Sequence, residues 1–307
     1  MLEPFHISVM VSEVLSFMEV AKSGQFVDCT LGGGGHTQAI LEKGGIVIGI
    51  DCDPEAVEYA KSRLLQYCDR FETHVTKFSH IIEIVGENAG LIDGVLMDLG
   101  ISSRMIDDAS RGFSYKIDGP LLMNMGCSGV TAFDVVNKKS AKELSEIFKE
   151  YGEERHACKI ADSIVRVRSS HPIETTKELA DIVEKSVGGK MPQKSKARIF
   201  QALRIYVNDE INELRKGLDG ALKVMKPGGR LCVISYHSLE DRVVKQFFKK
   251  QAEPCICPPD LPECKCGLKP TLRIITRKAV RASEQELVSN IRSRSAMLRI
   301  AEKIAEA

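Results

Sequence analysis

The sequence predicts an α/β protein in which a parallel sheet of the doubly wound type is interrupted by a helical insertion. A glycine-rich loop follows the apolar run at 26–29, and a second apolar run ends in an acid at Asp51. A third apolar run, 92–98, ends in the same way, after which helical spacing replaces the strands as far as residue 214. Strand-like runs that alternate with helical patterns are typical of parallel sheets covered by helices.

The glycine loop, Gly32 to Gly35, comes directly after the first predicted strand. Glycine lets a backbone turn sharply and approach a ligand that any Cβ would exclude. Asp51 ends the second predicted strand, where a carboxylate can accept hydrogen bonds from the hydroxyls of a ribose. Together these features predict a nucleotide-binding unit. The alternative is that the glycines only connect a strand to a helix.

The spacing of the glycines narrows the choice of nucleotide. Dinucleotide-binding loops follow the pattern G-x-G-x-x-G, but Thr37 occupies the place of the third glycine here. A Walker lysine is also missing from the loop. These differences argue against NAD, FAD and ATP. They favour an adenosine ligand without a pyrophosphate, of which S-adenosyl-L-methionine (SAM) is the commonest.

The composition is that of an ordinary globular protein, with 43% hydrophobic and 28% charged residues among 307. The sequence contains no run of eighteen apolar residues and does not begin with a basic and then apolar segment, so we expect a cytoplasmic protein without a membrane partner. Of the ten cysteines, Cys29, Cys52 and Cys232 lie in strand-like or site-like segments and are expected to be reduced.

Charge is distributed unevenly along the chain. Residues 1–150 contain 13 Lys and Arg against 22 Asp and Glu, whereas the remainder contains 30 against 20. Within the basic half, 190–204 has five basic residues and no acid, and 265–303 has ten against three. This asymmetry predicts a polyanionic partner bound through its phosphates, although each basic stretch alone is equally consistent with a solvated surface.

The remaining segments predict how the sheet is completed. Asp28, Asp51 and Asp98 end predicted strands and are expected to face one crevice, with helix capping as the alternative role of Asp98. Helical spacing covers 140–151, 155–168, 176–187 and 197–214, and a Pro-Gly-Gly turn at 227–229 precedes a fifth strand. We therefore predict a sheet domain from 1–105 and 211–307, and an inserted all-helical substrate-recognition domain at 106–210.

Six motifs carry a specific resemblance, and they lie in the same order across most of the chain. They are DCTLGGGGH at 28–36, DLGISS at 98–103, RGFS at 111–114, FQALRIYVN at 200–208, SYHSLEDR at 235–242 and RSRSAMLR at 292–299. This sequence resembles the bacterial 16S ribosomal RNA cytosine-N4 methyltransferase family. The resemblance implies a Rossmann-like class I SAM-dependent methyltransferase that acts on one cytidine in the decoding region of the small-subunit RNA.

The resemblance also implies a set of residues that bind the cofactor. In the glycine loop these are Gly34, Gly35 and His36, with Asp51 at the ribose and Phe78 near the adenine. The acid of the fourth strand is Asp98, and Met105 stands at the position of a glutamine that the family uses at the SAM site. His36 and Phe78 have simpler alternative roles, the first as a polar residue in the first turn of a helix and the second as core.

The chemistry of cytosine N4 predicts which residues act on the substrate. Its lone pair is delocalised into the ring, so hydrogen-bond acceptors such as the Asp98 carboxylate would localise it and align the transfer. His237 is predicted to take the departing proton or contact the base, although a catalytic base is not obligatory. Further contacts with RNA are predicted for Arg111, Phe113, Arg204, Tyr236 and Arg242, with the two aromatic rings stacking on an unstacked base.

The chain departs from the family pattern in one neighbourhood. Arg104 and Met105 replace a Pro-Gln pair, and Leu122, Asn124 and Gly126 replace Asp, Arg and Asp. Besides an active rRNA enzyme, these departures leave open a weakly active or inactive paralogue that mainly binds RNA. A methyltransferase acting on another nucleic acid is the remaining alternative.

Four cysteines near the C-terminal end form two C-x-C pairs, Cys255 with Cys257 and Cys264 with Cys266. Four thiolates can hold a tetrahedral zinc ion, but structural zinc sites more often use C-x2-C or longer spacings. Related sequences have a similar cysteine-rich and proline-rich loop without a metal in the family description. The sequence therefore predicts that these cysteines bind no metal.

Overall fold

A single mixed sheet is the central feature of the protein, for which a computed structural model describes residues 8–126, 129–189, 192–258 and 265–305. The strand order is β3-β2-β1-β4-β5-β7-β6. The first five strands pair in parallel, whereas β7 runs antiparallel to β5 and β6. The strands are β1 Gln25–Asp28, β2 Ile46–Asp51, β3 Phe71–Val75, β4 Ile92–Asp98, β5 Met225–Ser235, β6 Leu272–Ile274 and β7 Met297–Lys303.

Helices connect the strands and form the insertion after β4. They are α1 Val11–Met18, α2 Gly35–Glu42, α3 Pro54–Arg63, α4 Ile81–Val85, α5 Ser103–Asp107, α6 Ala132–Lys138, α7 Ala141–Glu150, α8 Ala157–Arg168, α9 Thr176–Val187, α10 Pro192–Asn208, α11 Glu210–Val224, α12 Ser238–Ala252 and α13 Glu284–Ser289. The chain divides into two compact units, Met1–Gly100 with Ile211–Ala307, and Ile101–Glu210. That the second unit recognises the substrate stays a prediction.

The strand order reverses between β1 and β4, which lie side by side in the first unit. Phe26 and Val27 of β1 are fully buried, as expected of a central strand covered on both faces. Ligands of doubly wound sheets bind beyond the carboxyl ends of the strands at such a reversal. Asp28, Asp51 and Asp98 are the last residues of β1, β2 and β4, so all three predicted acids lie at this edge.

The second unit is helical because its segments begin with strong capping sequences and share one apolar core. Thr131, Ser140 and Thr175 cap α6, α7 and α9, each with an acid three residues later that completes a capping box. Phe148 of α7 and Phe200 of α10 are buried in the core that these helices share. The predicted helices at 140–151, 155–168 and 176–187 are confirmed within two residues at each end.

The predicted helix at 197–214 is wrong, because the structure has two helices in this region. Asp209 adopts a left-handed conformation, φ 54°, between the end of α10 at Asn208 and the start of α11 at Glu210. Val207, Ile211 and Leu214 are buried on both sides of the break and keep the helical spacing across it. Sequence periodicity alone therefore gives no sign of the break.

The Pro-Gly-Gly turn before the fifth strand also differs from its prediction. Strand β5 already begins at Met225, which pairs with Ile92, and its next partner is Arg230 opposite Gly94. The intervening residues form an irregularity in which Gly228 has φ 82°, a value that favours glycine. The turn is therefore an irregularity inside the strand, with regular pairing from Arg230.

Candidate active site

The glycine loop between β1 and α2 is held by backbone contacts to β2. The amide of Leu31 donates to the carbonyl of Ile50 at 2.9 Å, and that of Gly34 donates to Leu31 at 2.8 Å. Gly34 has φ 74°, and a Cβ on Gly35 would overlap the hydroxyl of Ser8. Gly34 therefore has a conformation that favours glycine, and a side chain at 35 would require Ser8 to move.

Asp51 joins this loop to the end of β2. Its Oδ2 accepts a hydrogen bond from the Gly32 amide at 2.8 Å, and its Oδ1 accepts one from the Asp53 amide at 2.9 Å. Burial raises the pKa of Asp51 to about 6, against the lowering effect of these two bonds. Each carboxylate oxygen accepts more than one bond, so capacity remains for further donors such as two ribose hydroxyls.

The position of Asp28 differs from the prediction that three acids face one crevice, because this residue is only 1% exposed. Its Oδ2 accepts from the hydroxyl of Thr37 at 2.7 Å, and its Oδ1 accepts from the Thr30 amide at 3.2 Å. Asp28 therefore holds the loop and α2 against β1. The contact also explains the threonine where a dinucleotide loop has glycine, because Thr37 points back to the sheet.

Asp98 is the centre of a polar cluster at the end of β4. Its Oδ1 accepts from the hydroxyl of Tyr236 at 2.8 Å, and its backbone amide donates to the Thr30 hydroxyl at 2.7 Å. The Oδ2 atom lies 3.9 Å from Nδ1 of His36. Burial raises the pKa of Asp98 to about 6, while His36 and Tyr236 lower it. Asp98 is thus a buried acid with one oxygen engaged by a phenol.

His36 lies in the first turn of α2 and is 5% exposed. Its Nε2 is 2.9 Å from the carbonyl oxygen of Val9, and since a carbonyl only accepts, Nε2 carries a proton. The Nδ1 atom then faces Asp98. The ring therefore links the chain before α1 to the acid of β4.

Phe78 is half-buried in a short 3-10 turn after β3. Its ring lies against Gly217 of α11, where an added Cβ would come within 2.5 Å of Cδ2. Gly217 is a residue that sequence reasoning missed, and a glycine inside a helical pattern is the signal that marks such close packing. Any side chain at 217 would displace the ring from its present place.

His237 caps α12, which differs from the catalytic role predicted for it. Its Nδ1 accepts from the amide of Glu240 at 3.4 Å, and its Nε2 lies 3.0 Å from Oε1 of the same residue. Glu240 in turn accepts from the amides of Tyr236 and His237 at 2.8 and 3.3 Å. The cap therefore uses Nδ1, whereas the buried Nε2 makes no hydrogen bond among the described residues, so a role of His237 toward the substrate stays a prediction.

The sequence relationships are consistent with this arrangement. The profile of the MraW methylase family matches residues 3–304. A protein named ribosomal RNA small subunit methyltransferase H from Syntrophotalea carbinolica is 48% identical, and the alignment covers 96% of this chain and 96% of that protein. The protein of the same name from Carboxydothermus hydrogenoformans is 46% identical over 98% of each chain. This chain belongs to the MraW methylase family.

Family membership bears on several predictions made from the residues. The resemblance to a SAM-dependent methyltransferase family is confirmed by these relatives, and the Rossmann-like sheet is confirmed by the strand order. Among solved structures, an rRNA methylase from Streptococcus thermophilus has a TM-score of 0.45 and 12% identity, with 97% of this chain and 99% of that chain covered. Among the described residues, no helix has the length and apolar character needed to cross a bilayer.

In this MraW family member, three residues predicted to bind ligands have side chains that are already engaged within the second unit. Phe113 is 8% exposed and Met105 is 7% exposed, and both side chains lie in the apolar core. Arg204 makes a two-point ion pair with Glu210 at 2.9 and 3.0 Å, across the break between α10 and α11. Stacking by Phe113, cofactor binding by Met105 and RNA binding by Arg204 are therefore not supported, because each side chain is already engaged.

The buried position of Met105 leads to a prediction about the departure from the family pattern. Replacing Met105 by glutamine, the family's usual residue, should lower the free energy of unfolding by about 1–3 kcal/mol because an amide enters an apolar core. Urea denaturation followed by circular dichroism measures this. Met105→Leu is the control, with a change below about 1.5 kcal/mol. A glutamine variant of unchanged stability that binds SAM more tightly would instead support a cofactor role at this position.

The two basic stretches contain both paired and exposed side chains. Within 190–204, Lys196 pairs with Glu184 and Arg198 lies 3.7 Å from Glu154. In the C-terminal stretch, Arg299 makes a two-point pair with Asp241 at 2.7 and 3.0 Å. The exposed basic residues of this stretch are Lys265, Lys269, Arg273, Arg277, Lys278, Arg281 and Arg294.

Of the remaining residues predicted to contact RNA, Tyr236 is half-buried and its ring packs against the core of the first unit. Its hydroxyl is engaged by Asp98, and stacking of its ring on a base stays a prediction. Arg111 is half-buried and Arg242 is exposed. Their contacts with RNA stay predictions.

The cysteines near the C-terminal end come together in the described part of the chain. The sulfur atoms of Cys255, Cys257 and Cys266 all lie within 4.8 Å of one another. Cys264, the fourth cysteine of the two pairs, lies outside the described residues. The convergence of three sulfurs is a feature that the C-x-C spacing alone did not favour.

Proposed function

We propose that this protein transfers the methyl group of SAM to the exocyclic N4 amine of a cytidine in 16S ribosomal RNA, with the decoding region as the place that the resemblance implies. Relatives named ribosomal RNA small subunit methyltransferase H match nearly the whole chain. The observation that carries the proposal is the buried Asp98 carboxylate beside Tyr236 and His36 at the reversal of the strand order.

The residues of the first unit fit SAM as the methyl donor. Asp51 has acceptor capacity for two ribose hydroxyls, and it lies next to the loop that contains Gly34 and Gly35. Asp98 adds negative charge at neutral pH, because its pKa of about 6 leaves it mainly ionised there. An anionic site favours a cationic ligand, and SAM bears a positive sulfonium. When bound, SAM supplies a strongly electrophilic methyl group.

Asp98 is the residue best suited to act on the substrate amine. One of its oxygens is engaged by Tyr236, whereas Oδ2 has no closer ionic neighbour among the described residues than Nδ1 of His36 at 3.9 Å. A carboxylate oxygen that accepts an N4–H bond concentrates the nitrogen lone pair for in-line attack and stabilises the charge that develops on nitrogen. The Asp98 carboxylate is available both to the cofactor and to the substrate amine.

Tyr236 and His36 then serve as positioning residues for Asp98. Burial and the neighbouring carboxylate raise the pKa of the Tyr236 phenol, so it stays protonated and donates to Oδ1. His36 is fixed by the Val9 carbonyl. His237 holds the start of α12, and the methylated amine releases its proton to water, so no side-chain base is required.

The decisive experiment is nucleoside mass spectrometry on small-subunit RNA from cells with and without this gene. We expect N4-methylcytidine to be lost from 16S RNA in the deletion strain and restored by the wild-type gene. Complementation with Asp98→Asn should leave the modification absent although the protein accumulates. An unchanged content of N4-methylcytidine in the deletion strain would contradict the proposal.

The exposed basic residues of the C-terminal stretch predict a salt-dependent affinity for RNA. Replacing both Arg277 and Lys278 by glutamine should flatten the slope of log K against log salt by about 0.7 for each phosphate that the variant no longer neutralises. Filter binding of a 16S fragment over a salt series measures the slope. The matched control is Lys61→Gln, an exposed lysine paired with Glu58 in the acidic half of the sequence. Equal slopes in the double variant and the wild type would mean that these side chains belong to a solvated surface.

A further inference from the structure

A long segment connects α12 to β6. It starts after Ala252 and ends before Leu272, and its described residues, 253–258 and 265–271, contain no helix or strand. Its two ends are joined, because the amide of Thr271 donates to the carbonyl of Gln251 at 2.9 Å and their side chains bond at 2.7 Å. Such long loops are uncommon in compact domains unless they have a function.

Apolar packing does not hold the described part of this segment. Its two large aliphatic side chains, Ile256 and Leu268, are both exposed, the first at 79%. A loop that buries so little apolar surface needs another source of order, and a bound metal can supply it by clipping distant parts of the loop together.

The three described cysteines of the segment have the geometry of a metal site. The sulfur atoms of Cys255 and Cys266 are 3.9 Å apart, and Cys257 completes a group within 4.8 Å. A tetrahedral zinc ion with Zn–S bonds of about 2.3 Å places its sulfurs about 3.8 Å apart. A disulfide requires about 2.05 Å and would account for only two of the three sulfurs.

A second contact holds the sulfur of Cys257 in place. The backbone amide of Lys265 donates to its sulfur at 3.4 Å. Hydrogen bonds of this kind orient the ligands of metal sites and stabilise their negative charge. The donor, Lys265, comes from the other end of the segment and precedes Cys266. The contact that brings the sulfurs together therefore also gives one of them a hydrogen-bond donor.

We propose that Cys255, Cys257 and Cys266 bind a structural zinc ion that fixes the segment between α12 and β6. Each thiol loses its proton to solvent as its sulfur forms a bond to the ion, so no oxidant or reductant is involved. Structural zinc takes four ligands, and the described residues supply three of them. The site does not depend on the proposed methylation of RNA.

The test uses untagged full-length protein purified under reducing conditions from zinc-supplemented cells. We expect about one zinc per chain by mass spectrometric metal analysis. Titration with a mercurial that blocks thiols should release this zinc with the loss of three or more thiolates per ion. Replacing zinc by Co²⁺ should give the intense sulfur-to-cobalt absorption of a thiolate site.

Serine variants locate the site on the chain. Cys255→Ser, Cys257→Ser and Cys266→Ser should each lose zinc and lower the Tm, whereas Cys68→Ser, an exposed cysteine outside the cluster, should keep both at wild-type values. Wild-type protein with far less than one zinc and no cobalt–thiolate absorption would overturn the proposal. So would release with fewer than three thiolates, or a Cys255–Cys266 disulfide found by non-reducing peptide mapping of freshly lysed cells. Because the mercurial titration uses only wild-type protein, misfolding of a variant does not remove the test.

Discussion

Methyl transfer by the Asp98→Asn variant is expected to fall by about 10² to 10³-fold in a single-turnover assay with labelled SAM and 16S RNA. The substitution keeps the shape of the side chain and an oxygen for the Tyr236 hydroxyl, but it removes the negative charge. The Nδ1 atom of His36 lies 3.9 Å from the carboxylate, beyond hydrogen-bond distance, so the substitution breaks no hydrogen bond there. The local contacts therefore survive, and the loss is expected in the chemistry.

The same variant should be at least as stable as the wild type at pH 8. Burial raises the pKa of Asp98 to about 6 in the folded protein, above its ordinary value of 3.8. Ionisation of the wild-type carboxylate therefore costs the folded state up to about 3 kcal/mol above pH 6. This cost decreases as the pH falls through 6 and is gone below about 4, so the advantage of the variant should shrink over the same range.

Thermal unfolding of the cofactor-free proteins between pH 4.5 and pH 8 measures this difference. Asp69→Asn, at an exposed acid, is the control for a general effect of charge removal. A variant with wild-type turnover would remove Asp98 from the mechanism. A variant that is less stable at pH 8 than at pH 5, relative to the wild type, would contradict the direction of its pKa shift.

Asp51→Ala is expected to weaken SAM binding by about ten- to a hundredfold. The loss corresponds to one hydrogen bond to a charged acceptor, which contributes about 1.5–3 kcal/mol. Isothermal titration calorimetry with SAM measures it. Because burial raises the pKa of Asp51 to about 6, wild-type affinity should also fall as the pH drops below 6 and the carboxylate becomes protonated. The alanine variant should lose the part of this pH dependence that Asp51 contributes.

The control for Asp51 separates ligand contact from support of the loop. Asp51 accepts from the amides of Gly32 and Asp53, so its removal also leaves these donors unsatisfied. The Asp53 side chain caps α3 by accepting from the Glu55 amide. Asp53→Ala removes this cap and should lower the free energy of unfolding by about 1 kcal/mol. If Asp53→Ala weakened SAM as much as Asp51→Ala does, Asp51 would act through the loop and not through the ribose.

The three acids at the strand ends show how one sequence pattern leads to different roles. Asp28, Asp51 and Asp98 all follow apolar runs, and burial raises the pKa of each. Asp28 is 1% exposed and bonds to Thr30 and Thr37, whereas Asp51 and Asp98 are half-buried and remain partly exposed. The difference arises from neighbours that approach only when the loop after β1 folds back.

The C-terminal motifs show a similar division. The residues that follow β5 form a recognisable family motif, SYHSLEDR at 235–242. That Nδ1 of His237 caps α12 depends on the backbone at the start of this helix, where the Glu240 amide donates to it. A histidine at a helix start and a catalytic histidine have the same appearance in sequence, so the choice between them required the contacts.

The sequence by itself determined the α/β class with its helical insertion, the glycine loop, the acids at the ends of β1, β2 and β4, and the family. These features are local patterns or contiguous motifs, and hydrophobic periodicity and residue identity record them along the chain. The tertiary structure alone decided that Arg204 and Arg299 are held in ion pairs, that Met105 and Phe113 are buried, and that three cysteines converge. The physical reason is that pairing and burial depend on partners brought together by folding, as with Arg299 and Asp241, which lie 58 positions apart in the sequence.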